Sequence, residues 1–85
     1  MNIWIDIIGW AGGLMVLLAY LLVSTNKLNG KHVYFQLLNT VGASLLVVNT
    51  IFLKSYPSAF ENLIWACVGI VTLVSILLKK KEAKI

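Results

Sequence analysis

Three apolar runs, separated by short polar breaks, restrict what this chain of 85 residues can become. A hydrocarbon core of about 30 Å takes about 20 residues of helix at roughly 1.5 Å per residue. The first run covers about 3–23, the second about 32–53 and the third about 58–78, leaving a lysine-rich tail at 79–85. Inside a bilayer each backbone N–H and C=O must be paired without water, so each run is expected to be an α-helix. The expected fold is therefore all-α: a single-domain integral membrane bundle of three transmembrane helices over residues 1–85.

Charge placement supports this class. A water-soluble three-helix bundle needs a charged outer face on every helix. Here only 12% of residues are charged, they gather in the breaks and the tail, and the mean hydropathy is +0.92. All seven cations are lysines, four of them in the tail, where a bilayer surface accounts for them without nucleic acid. One histidine, one cysteine and three acids make no metal site, no cofactor site and no hydrolytic constellation, so no enzyme is expected. Cys67, in apolar surroundings, reads as a small buried hydrophobe. The first run is read as a retained helix, because it follows no basic stretch, carries Asp6 and leads to no Ala-x-Ala site.

The breaks set the threading. Ser24–Lys31 holds turn formers with Lys27 and Lys31, and Lys54–Pro57 makes the second connection. A connection that short makes the second and third helices antiparallel neighbours. Lys27, Lys31 and the tail lysines Lys79, Lys80, Lys81 and Lys84 fall on one side of the bilayer, with Lys54 alone on the other. The positive-inside rule then predicts an outside N-terminus and a cytoplasmic C-terminus. Trp4, Trp10 and Tyr56 would belong to the outer aromatic belt, Tyr20 and Tyr34 to the inner one.

Gly9 and Gly13 have GxxxG spacing, with Gly12 between them, and Gly42 lies in the second helix; such small residues admit a neighbouring backbone or supply a flexible point. Pro57 separates the second and third helices. The Ser58-Ala-Phe-Glu61 stretch fits a capping box, which would give Glu61 a purely local role.

The second run is the unusual one, since it carries Gln36, Asn39, Ser44 and Asn49 where lipid offers no hydrogen bonds. Asn49 and Asn62 both lie four residues in from the outer boundary, about 6 Å deep, with Trp10 and Trp65 about one turn deeper. On the inner half Asn39 comes out level with Thr72. Gln36, Asn39, Thr40, Ala43, Val47 and Thr50 share one face at helical spacing, whereas Asn49 points toward the side of Gly42. Carboxamides with indoles suit a neutral polyhydroxy or zwitterionic small molecule, and hydrogen bonding between helices accounts for the same residues. The candidate substrate-binding residues are Asn39, Asn49, Asn62 and Trp65. Three spans cannot wall a pathway alone, so a homodimer is expected.

The residues Ile8-Gly-Trp-Ala-Gly-Gly13, Tyr34-Phe-Gln-Leu-Leu-Asn-Thr-Val-Gly-Ala43 and Tyr56-Pro-Ser-Ala-Phe-Glu-Asn-Leu-Ile-Trp65 together resemble a family of small uncharacterised bacterial three-span proteins, sometimes called CBU-type, over almost the whole chain. More distantly the chain looks like the SemiSWEET and PQ-loop superfamily, whose protomers form parallel homodimers and carry sugars or other small solutes by alternating access. The shared features are the Ile-Gly-x-x-x-Gly start, a proline before the third helix and an asparagine five residues after it, here Asn62. That resemblance implies a substrate contact for Asn62 and a place in the bacterial inner membrane. The Pro-Gln pair of PQ-loop proteins falls at Leu22-Val23 and the helix-two tryptophan of SemiSWEETs at Leu46, so a hinge would come from Gly9, Gly12 or Gly13. The leading expectation is a homodimeric carrier of a small neutral or zwitterionic solute. The rival is a non-transporting accessory protein or a holin-like pore, for which small size and a basic tail would be enough.

Overall fold

In the computed structural model, which describes residues 2–83, all regular structure is helical: α1 is Ile3–Ser24, α2 is Val33–Phe52 and α3 is Tyr56–Ala83. All three are long and apolar enough to cross a membrane. The molecule measures 51 × 24 × 20 Å, so its long axis exceeds a hydrocarbon core of about 30 Å.

The ends of the helices follow from local chemistry. Asn2 caps α1, its Oδ1 accepting from the Trp4 N–H at 2.9 Å, and His32 caps α2, its Nδ1 accepting from the Tyr34 N–H at 3.2 Å. Both helices finish in the same way: Asn26 and Lys54 turn left-handed at φ 61 and 60. Lys27 N–H then reaches the Leu22 carbonyl at 2.9 Å, and Ser55 N–H reaches that of Thr50 at 2.8 Å. These paired bonds satisfy carbonyls that a helix end leaves open.

α3 starts earlier than the capping-box reading has it. Pro57 sits in the first turn, where its missing N–H costs nothing, and the Ser55 carbonyl accepts from the Ala59 N–H at 2.9 Å. Ser58 and Glu61 therefore lie inside the helix and no Ser58–Glu61 box forms. At the other end Lys79, Lys80 and Lys81 continue the helix, since nothing in that sequence breaks it and cations favour a helix C-terminus. Of the expected tail, Lys84 and Ile85 lie outside the described residues.

Packing inverts the pattern of a water-soluble protein. The buried apolar side chains are small, chiefly Ala19, Ala43, Ala59 and Ala66 with Ile5, while Trp4, Trp10, Phe60 and Val71 are among the many large ones left exposed. Such a surface suits lipid as solvent. Cys67, expected to be buried, is exposed: it lies one residue past Ala66, about 100° around the helix from the packed face. α2 is the central element. α1 packs on one of its faces and α3 on another, and the backbones of α1 and α3 nowhere come within 8 Å of each other, Cα to Cα.

Candidate functional site

The two faces of α2 meet their partners by different chemistry. Toward α1 the contact is between backbones: a Cβ on Gly12 would stand 2.7 Å from the Gly42 carbonyl oxygen, and one on Gly42 would stand 2.9 Å from that of Gly12. Asn49 uses the same seam, donating Nδ2–H to the Ile5 carbonyl at 2.8 Å. Gly9 makes the room, because a Cβ there would run into the Asn49 carboxamide. Gly13, the second glycine of the GxxxG spacing, has nothing within 4 Å of where its Cβ would be. The working pair on α1 is thus Gly9 with Gly12.

Toward α3 the contact is made by side chains. Trp65 donates Nε1–H to Asn39 Oδ1 at 2.5 Å, and Asn39 is buried. One turn further along, Gly69 lies under Thr40, whose Oγ1 occupies the space of a Cβ. Four hydroxyls in the helices donate to a carbonyl one turn back, Ser44 to Thr40, Thr50 to Leu46, Thr72 to Val68 and Ser75 to Val71. Thr40 Oγ1 and its neighbour Gln36 Oε1 are buried without a partner. Among the described residues, the buried side-chain polar atoms left without a partner lie at this seam.

Because the backbones of α1 and α3 stay more than 8 Å apart, Cα to Cα, a cleft lies between them with α2 as its floor. One cavity, about 270 Å³, is lined by Val16, Glu61, Asn62 and Trp65. A smaller one, about 90 Å³, shares Val16 and Trp65 and adds Tyr20, Val23, Phe35 and Asn39. Three of the four residues singled out for binding, Asn39, Asn62 and Trp65, therefore share one cleft. Asn49 lines a separate cavity of about 270 Å³ with Asp6, Gly9, Trp10 and Leu53. Thr72, level with Asn39 by residue count, lines a different cavity, and its hydroxyl donates to the Val68 carbonyl of its own helix at 2.8 Å. Counting residues along an axis gives height but not azimuth, and the long indole arm of Trp65 reaches the Asn39 acceptor instead.

Glu61 is the residue the sequence reading undervalued. Placing Pro57 in the first turn, rather than before the helix, frees this carboxylate from capping and sets it on the cleft wall beside Asn62. Val16, Tyr20 and Phe35, the apolar walls, carry no signal that separates them from lipid-facing neighbours. The arrangement offers one carboxylate, a carboxamide and an indole to a small solute, with no group of three or more metal-ligating side chains among the described residues.

A family model matches residues 5–81, nearly the full length. No curated protein and no solved structure matches the chain, so the resemblance to SemiSWEET and PQ-loop proteins gains no support from these comparisons.

Proposed function

We propose, for a chain that belongs to the uncharacterised bacterial family matched over residues 5–81, a function as a homodimeric SemiSWEET-like carrier of a small neutral or zwitterionic solute in the bacterial inner membrane. The observation that carries this reading is the open cleft in which Asn39, Asn62 and Trp65 come together between helices whose backbones stand apart. Two copies meeting cleft to cleft would wall off a pathway that one copy leaves open. Asn62 would accept and donate hydrogen bonds to the solute, Trp65 would offer its ring face, and Glu61 would meet the ammonium end of a zwitterion. The unsatisfied Gln36–Thr40 surface against α3 supports a seam that shifts during alternating access. The lysine distribution supports an outside N-terminus.

A second reading has its own observation. Asn39 and Asn49 both spend their carboxamides on hydrogen bonds between helices, as they would in a non-transporting membrane scaffold. Flux into proteoliposomes separates the two. A panel of sugars, polyols and amino acids should contain a member that enters well above the rate of empty vesicles, and Asn62→Ala should lower that flux at least about tenfold, the loss of a hydrogen bond to a buried polar group. No flux for any solute would overturn the carrier. Leakage that ignores size and chemistry would favour a holin-like pore.

A further inference from the structure

The opposite end of the molecule holds a cavity that a solute carrier does not require. It measures about 290 Å³ and is lined by Lys31 from the α1–α2 connection and by Thr72, Ser75, Ile76, Lys79 and Lys80 of α3. Three lysines from two separate elements thus line one hollow, while Asp6 and Glu61 line cavities elsewhere. Positive charge gathered around one hollow attracts an anion.

The position of Lys31 is built rather than incidental. Its own N–H donates to Asn29 Oδ1 at 2.9 Å, and the next N–H, that of His32, donates to the Asn29 carbonyl at 3.0 Å. The buried Gln36 side chain holds the preceding residue through Nε2–H to the Gly30 carbonyl at 2.5 Å. On the other wall Lys79 and Lys80 ride on an unbroken helix that runs to Ala83. The backbone of both walls is therefore held in place by bonds within the protein, and the lysine side chains project from it.

Below the lysines the wall changes character. Ile76 is apolar, and the hydroxyls of Thr72 and Ser75 are turned to their own helix, donating to the Val68 and Val71 carbonyls at 2.8 and 2.9 Å. Descending α3 from Lys79 to Thr72 covers about 10 Å, the passage from interface into hydrocarbon. A cationic rim over an apolar wall, on the flank of a bilayer-spanning helix, matches an amphiphile with an anionic head.

We infer that Lys31, Lys79 and Lys80 form a binding site for the phosphate of an anionic phospholipid, with the first part of an acyl chain lying along Ile76. The lipid phosphate sits among the ammonium groups and ties the α1–α2 connection to the end of α3. The site needs neither transport nor a particular orientation, so it stands or falls independently of the carrier reading.

The test uses the full chain, purified in mild detergent, titrated with phosphatidylglycerol and with phosphatidylcholine, and read by native mass spectrometry. Each lysine near a membrane surface changes anionic lipid binding about fivefold, so the triple variant K31Q/K79Q/K80Q should bind phosphatidylglycerol on the order of a hundredfold more weakly. The charge-matched triple K27Q/K54Q/K81Q should keep most of the binding, and K31R/K79R/K80R should retain it. Equal loss in the two glutamine triples, or equal retention of phosphatidylcholine, would overturn the site and leave only diffuse attraction. Displacement of the lipid by inorganic phosphate at equal concentration would overturn the lipid as the occupant.

Discussion

The two seams of α2 are built from similar residues and are expected to behave differently. At the α1 seam, Gly12 and Gly42 bring backbone against backbone, and a carbonyl cannot move out of the way without moving its helix. At the α3 seam, the space above Gly69 is taken by the end of a side chain, Thr40, with unpartnered polar atoms around it. In lipid no hydrophobic force presses helices together, so close backbone approach is what holds a pair. The contrast makes α1–α2 the fixed unit and α2–α3 the adjustable one, with the cleft lying alongside the adjustable seam.

The largest expected effect tests the fixed seam. Gly12→Ala, or Gly42→Ala, forces two backbones apart and should cost about 2–3 kcal/mol, as overpacking does in a tight core. Unfolding of the purified protein by titration with a denaturing detergent would measure it. A cost near zero would show that the seam is not close-packed and would remove the basis of the contrast. Next comes Asn49→Leu, which loses the bond to the Ile5 carbonyl and presses a branched side chain against Gly9. It should cost about 1–2 kcal/mol in the same titration.

Gly69→Ala probes the adjustable seam and should cost less, about 1 kcal/mol, because the obstacle is one hydroxyl. Thr40→Ala removes the obstacle, so the double variant should be more stable than Gly69→Ala alone, a coupling that a mutant cycle reads directly. If Gly69→Ala costs as much as Gly12→Ala and Thr40→Ala does not relieve it, the two seams are alike. Smaller still is Trp65→Phe, which keeps the ring but deletes the N–H that bonds Asn39. About 0.6 kcal/mol is typical for a hydrogen bond between membrane helices, so flux should respond more than stability if the indole also meets solute.

Much of this architecture is legible in the sequence because lipid enforces it. Three apolar runs with lysine-bearing breaks leave one fold class, and the side of Gly42 toward which Asn49 points follows from 100° per residue. What periodicity could not give is which helix covers which face. Residue counting places Asn49 and Asn62 at similar heights, yet they line different cavities, because α1 and α3 pack on different faces of α2. The start of α3 misled for a different reason: Ser58 and Glu61 satisfy the spacing of a capping box, but Pro57 satisfies the first turn, and the helix follows the proline. Glu61 became a cleft residue by that shift of register.

Gly13 belongs to neither seam, and that makes it the finest test of the contrast. It lies three residues before Val16 and seven before Tyr20, on the stripe of α1 that walls the cleft, and nothing stands within 4 Å of where its Cβ would be. In a single copy, Gly13→Ala should leave stability unchanged or raise it by up to about 1 kcal/mol, since alanine favours the helix and meets no obstacle. Where a second copy packs on the cleft, the same methyl group would meet a neighbour. Gly13→Leu should then lower the dimer fraction, read by energy transfer between labelled chains in vesicles, while unfolding in detergent stays as it was. An unchanged dimer fraction with unchanged flux would place the second copy away from this stripe and leave Gly13 facing lipid.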